Sequence, residues 1–210
     1  MEMRRAYLIR HGQTEWNKAQ KAQGHTDIPL DELGLAQADA LAQAFEGRHL
    51  ENIFSSDLLR CVGTAKPLAN ETQAALITTP DLRERGFGDL EGRPYHEIRE
   101  ASHASGLLLE EYIPPNGESM IMVRARLERF LDQLPGEGGD FAIVSHGGSC
   151  SLLLAMMLGG HPAVSRGFRF GNTGLCELSE RAPGEWNLVR YNDTHHLVNI
   201  ENAGAFGVVG

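Results

Sequence analysis

Long apolar runs are missing from this chain. The longest, Leu152–Leu158, falls far short of a membrane span, which needs about 20 apolar residues. The start, Met1-Glu2-Met3-Arg4-Arg5, lacks the apolar core of a secretory signal, because the run at Ala6–Ile9 is too short. Cysteine is scarce and scattered (Cys61, Cys150, Cys176), with no CxxC spacing. That excludes a disulfide framework or a cysteine metal site and predicts a reducing, cytoplasmic setting. Positive charge is also in short supply: 19 Lys and Arg against 28 Asp and Glu give a net charge of −9. Nucleic acid and anionic membranes are therefore disfavoured as partners, and any anion site must be built locally from a few arginines. No Gly-x-x-x-x-Gly-Lys-Ser/Thr loop occurs, so a nucleotide site of that type has no support. Repeats, linkers and low-complexity tracts are absent, and nothing in the sequence specifies an oligomeric state.

What is present is a globular composition, 41% apolar, and an alternation of strands and helices. Residues 1–210 read as one domain. Strands are predicted at Ala6–Arg10, Ile53–Ser56, Ala75–Thr78 and Phe141–Ser145, and a hairpin at Leu175–Leu178 and Trp186–Tyr191. Helical spacing links Leu33, Ala36, Ala40, Leu41, Ala44 and Phe45, and again Met120, Val123, Leu127, Phe130, Leu131 and Leu134. A further helix is expected over Ser149–Leu158, and one after Asp57, which is placed to cap it. The pattern predicts an α/β three-layer sandwich: a mostly parallel central sheet, one antiparallel edge strand, and helices on both faces. Arg93–Pro115 reads as irregular, a candidate cap or specificity insertion, and Gly204–Gly210 as a flexible tail.

Two strands end alike. Ala6–Ile9 runs into Arg10-His11-Gly12, and Phe141–Val144 into Ser145-His146-Gly147. Ligands of open α/β sheets sit beyond the carboxyl ends of the strands, so neighbouring strands would open both imidazoles into one crevice. Arg10 adds a planar fork suited to phosphate or carboxylate, with Thr14 and Asn17 close behind. Ser145–Ser149 joins a strand to a helix whose first amides attract anions. Arg60 lies near a helix start, where the macrodipole disfavours a cation, which suggests a reason for its presence. Glu84, Asp89 and Glu91 share a charged, loop-like stretch that does not rank them as acid or base. Two histidines, two arginines and a carboxylate form a coherent set for phosphoryl transfer, which needs charge stabilisation and a proton for the leaving group.

These residues resemble the signature of the histidine phosphatase superfamily, whose branches include the cofactor-dependent phosphoglycerate mutases. The resemblance runs in order along most of the chain. It covers Leu8–Asn17, Gly24–Leu30, Ser55–Arg60 with Thr64-Ala65, Leu82-x-Glu84 with Gly88-x-x-Glu91-Gly92, Val144–Gly148, and Asn192-Asp193 with His196-Leu197. It implies that His11 is the phosphorylated nucleophile. Arg10, Arg60 and His146 would hold the phosphoryl oxygens, and Asn17 and Thr14 would assist. Glu84 would protonate the leaving alkoxide. Gln23, Gly24 and Gly147 complete the implied substrate contacts. No metal and no cofactor is implied, and the partner is a small phosphate ester.

Cys61 and Gly63 depart from the residues more usual in relatives. A mutase of this family carries a longer, arginine-rich insertion after the position of Gly92. Here Arg93–Pro115 is short and offers Arg93 and Arg99, which favours a phosphatase over the mutase alternative. An esterase would need a Gly-x-Ser-x-Gly elbow, and Gly117–Ile121 lacks its last glycine. A metal site using His11, His146, Asp89 and Glu84 would have to tolerate adjacent arginines. A non-catalytic phosphate-binding module would have no use for an acid at Glu84.

Overall fold

The computed structural model describes residues 3–108 and 111–200. Six strands form one sheet in the order β3-β2-β4-β1-β5-β6. They are β1 (Arg5–Arg10), β2 (Asn52–Ser56), β3 (Ala75–Thr79), β4 (Phe141–Ser145), β5 (Leu175–Ala182) and β6 (Glu185–Asp193). The first four run parallel, and the β5–β6 hairpin supplies the antiparallel edge. Helices α1 (Glu15–Lys18), α2 (Glu32–Gln43), α3 (Leu59–Thr72), α4 (Tyr95–Ser105), α5 (Met120–Asp132) and α6 (Gly147–Met157) complete the α/β fold.

Ala6–Ile9 of β1 and Phe141–Val144 of β4 are unbroken apolar runs because both sheet faces are covered. Ala6, Leu8, Phe141 and Ile143 point to one face, against Val123, Leu127 and Phe130 of α5 and Leu152–Leu154 of α6. Tyr7, Ile9, Ala142 and Val144 point to the other, against Leu41 of α2 and Cys61, Ala65 and Leu68 of α3. The helix after β1 thus lies on one face and the helix after β4 on the other. Two adjacent parallel strands whose connections diverge leave a crevice at their carboxyl ends. The register Arg10↔Ser145 sets His11 and His146 side by side at its mouth.

Two local expectations change. Asp57 does not cap α3: Leu58 holds the N-cap position without a side-chain bond, and Asp27 Oδ1 accepts the Leu59 amide from another loop at 2.7 Å. The Asp57 carboxylate is taken instead by the Arg83 guanidinium, at 2.7 and 2.6 Å. The stretch read as irregular contains α4, which starts after Pro94, buries Ile98 and Ser102 one turn apart, and closes on left-handed Gly106 (φ 73°). The expected tail at 204–210 lies outside the described residues. No helix among the described residues is long and apolar enough to cross a membrane.

Candidate active site

The imidazoles of His11 and His146 meet edge to face, with centroids 5.1 Å apart. His11 is 3% exposed, and its Nδ1 lies 2.7 Å from the Gly12 carbonyl oxygen. A carbonyl can only accept, so Nδ1 carries the proton and Nε2 keeps its lone pair. Burial, reinforced by the Arg60 and Arg10 charges, holds the His11 pKa well below the usual histidine value. The ring is therefore neutral at pH 7.

His146 is the N-cap residue of α6. Arg60 Nε donates to its Nδ1 at 3.2 Å, which leaves the proton on Nε2, 3.0 Å from Ser56 Oγ. Its pKa is also held well below the ordinary value, first by burial and then by Arg60. The Cys61 thiol packs 3.4 Å from the same Nε2. Burial raises that thiol's pKa to about 12, so it stays protonated.

Arg60 is fully buried in the first turn of α3. Its remaining nitrogens donate to the carbonyls of Gly24 (2.8 Å) and Thr26 (2.9 Å). Gly24 takes a left-handed φ of 53°, and a Cβ there would run into the Glu91 carboxylate. That carboxylate gathers the amides of His25, Thr26 and Phe87 at 2.8–3.1 Å, and so shapes the loop that grips Arg60. Arg10, 2% exposed, donates to the Phe170 carbonyl at 2.7 Å, while its Nε has no partner. Neither arginine has a carboxylate at ion-pair distance among the described residues. Two buried guanidiniums with no paired carboxylate are costly unless an anion completes them.

Glu84 is nearly buried across the crevice. It accepts the amides of Gly148 (2.9 Å) and Arg85 (3.0 Å) and lies 3.4 Å from Ser149 Oγ. The α6 N-terminus is thus met by the protein's own Glu84 carboxyl group rather than left open for a ligand. A Cβ on Gly148 would stand 2.7 Å from Glu84 Oε1, so glycine permits this approach. The structure also separates the three acids that the sequence left level. Glu84 is at the site, Glu91 braces a loop, and Asp89 is exposed and bonded to Asn116. The four-residue metal set is therefore not assembled, and among the described residues no group of three or more His, Cys, Asp and Glu is placed to hold a metal. Ser119 of the incomplete elbow is the N-cap of α5, accepting from the Met122 amide.

The other expected contacts divide. Thr14 and Asn17 form the capping box of α1 beside His11. Gln23 is buried with Oε1 unpartnered, and Gly147 opens α6. Several contributors had no site role in the sequence reading, although Thr64 fell within a matched motif. Asn172 Nδ2 donates to the His11 carbonyl at 3.1 Å, and Thr64 Oγ1 accepts the Gly12 amide at 2.9 Å. Arg126 binds the carbonyls of Asp81, Arg83 and Glu84 and so fixes the segment that carries Glu84. Tyr95 of α4 lies near enough for Glu84, Arg10 and Arg60 to act on its hydroxyl, whose pKa is raised chiefly by burial. For Arg126 a signal existed: a basic residue on the apolar stripe of a helix. Asn172 sits in a plain turn and offered none.

Fold and site together define an α/β protein whose strand-end crevice gathers two neutral histidines, two buried arginines and a carboxyl group. Residues 6–194 match the family model for branch 1 of the histidine phosphatase superfamily, and the chain belongs to that superfamily. Among curated relatives, the "Probable phosphoglycerate mutase GpmB" of Yersinia pestis is 35% identical over 206 residues, 93% of this chain and 95% of that protein. Among solved structures, the alpha-ribazole phosphatase of Shigella flexneri matches with a TM-score of 0.82 at 27% identity, covering 90% of this chain and 96% of its own. The mycobacterial glucosyl-3-phosphoglycerate phosphatase, solved with VO3, matches at 0.77 and 30% identity, covering 90% and 99%.

Proposed function

We propose that the protein is a phosphomonoesterase acting on a small organic phosphate ester through a phosphohistidine at His11. One observation carries this most directly: a neutral imidazole with its lone pair on Nε2, beside two buried guanidiniums with no carboxylate at ion-pair distance among the described residues. His11 Nε2 attacks phosphorus, and the bond to the ester oxygen breaks. Protonated Glu84 gives its proton to the departing alkoxide. Water then attacks the phosphohistidine, Glu84 takes a proton from it, and inorganic phosphate leaves with His11 neutral again. Arg10, Arg60 and His146 stabilise the charge on the transferring group, with Thr14, Asn17, Gln23, Gly24 and Gly147 shaping its surroundings. The arginines replace the metal clamp of other phosphotransferases and would repel a cation. Turnover is therefore expected to survive EDTA. Residues 93–115 serve as the cap over the site, and the cytoplasm is the expected compartment.

The name of the mutase relative favours a second reading, phosphoglycerate isomerisation. Offering 3-phosphoglycerate with a trace of 2,3-bisphosphoglycerate separates the two. Release of inorganic phosphate from a panel of esters without 2-phosphoglycerate supports the phosphatase, whereas rapid isomerisation sinks it. No turnover of any ester, with phosphate still bound, would return the protein to a binding role.

A further inference from the structure

Beside the histidine site lies a cavity of about 640 Å³, in the range of small-molecule pockets and far roomier than a three-carbon phosphoglycerate requires. Gly147, Gly148 and Phe170 form the shared wall: the Gly148 amide holds Glu84 and the Phe170 carbonyl holds Arg10. Much of the lining is apolar, with Leu108, Met120, Ile121, Leu152, Phe168 and Phe170 contributing. The rest is unusual for a chain of net charge −9. Five arginines (Arg85, Arg99, Arg124, Arg166, Arg169) line the cavity, against one described acid, Glu111.

Arg99 and Arg124 come from different helices, α4 and α5. Among the described residues Arg124 pairs with Glu128 on its own helix, a solvent-facing pair worth little. Arg169 spends its guanidinium on the carbonyls of Arg166 and Phe168 and keeps its full charge. Cations gathered by three separate segments around an apolar hollow make a field that a neutral ligand does not use.

We infer that this cavity receives the organic part of the ester and selects a leaving group with an apolar body and a second negative charge, such as a carboxylate. The inference rests on the phosphatase reading for its purpose, but its test does not. The probes are 4′-carboxybiphenyl-4-yl phosphonate and the corresponding carboxamide, which match in size and differ in charge. Calorimetric titration should find the carboxylate bound about tenfold more tightly, a gap suited to charge-assisted contacts. The doubly reversed variant R99E/R124E changes two exposed side chains and should erase or invert that preference. Equal affinity in the wild type, or a preference that survives R99E/R124E, overturns the inference. The matching phosphate esters supply the second arm. If neither is hydrolysed while the binding preference holds, the phosphatase reading falls and the charge selection stands.

Discussion

His11 and His146 start from the same local sequence and arrive at different chemistry. Each follows a buried parallel strand, each precedes glycine, and their rings touch. Their partners differ. A backbone carbonyl takes the proton side of His11 and leaves Nε2 open. A guanidinium and a hydroxyl occupy both nitrogens of His146. The motif places an imidazole, and the neighbours decide whether it attacks or supports. The bluntest way to break the comparison is to remove each ring. His11→Ala should lower kcat by on the order of 10⁵ or more, as losing a nucleophile does, and should abolish the acid-labile phosphoenzyme. His146→Ala should cost on the order of 10²–10³, as losing a transition-state donor does. Equal losses, or a phosphoenzyme surviving in His11→Ala, would reverse the assignment.

Arg60 is the next lever because it serves both rings. It lowers the pKa of each and donates to His146. Arg60→Ala should reduce kcat/KM by on the order of 10²–10³. It should also weaken the rise in Tm that inorganic phosphate gives the wild type. A ligand of the native state at 100 times its Kd stabilises by about 2.7 kcal/mol. An unchanged phosphate response would move the anion away from Arg60.

The sheet was legible because strands covered on both faces carry unbroken apolar runs, and those of β1 and β4 are short and sharply ended by Arg-His-Gly and Ser-His-Gly. The helix α4 was hidden by its charge, Glu97, Arg99 and Glu100 masking the one-turn pairing of Ile98 with Ser102. Pro94 before it and Gly106 after it were the signals that marked its ends. In the site, the motif residues themselves could be found, but the hydrogen bonds that rank them could not. Gly12, which orients His11, does so through its carbonyl, a group every residue owns. The separation of Glu84 from Glu91 depends on which carboxylate meets the α6 amides and which meets the Gly24 loop, and those elements are distant in sequence.

A finer cut removes one support and leaves the ring. Ser56→Ala takes away the oxygen facing His146 Nε2 and leaves that buried proton only the Cys61 sulfur, a weak acceptor, at 3.4 Å. The expected cost is about 1–3 kcal/mol of stability together with a several-fold drop in kcat. KM should move little, because the loss is of orientation rather than of substrate contact. Cysteine at the same position, a weaker partner, should restore part of the rate. A variant that loses stability and keeps full kcat would make Ser56 a packing residue only.

The smallest expected effect tests what the two histidines share. Both have folded-state pKa values pushed well below about 6.5, the value each regains when the chain unfolds. Between those limits the unfolded state binds more protons than the native one. Stability is therefore fully present above pH 6.5 and is lost as pH falls toward the folded-state values. Each buried imidazole contributes a slope of up to about 1.4 kcal/mol per pH unit in that window. His196, lowered to about 4 chiefly by burial against Thr173, adds a slope of the same sign. Thermal unfolding followed from pH 8 to pH 5 should thus show Tm falling below pH 6.5. His11→Asn and His146→Asn should each flatten the decline by a similar amount, although their effects on turnover differ by orders of magnitude. If only one flattens it, the two rings do not share a buried, neutral state, and their difference begins with protonation rather than with hydrogen-bond partners.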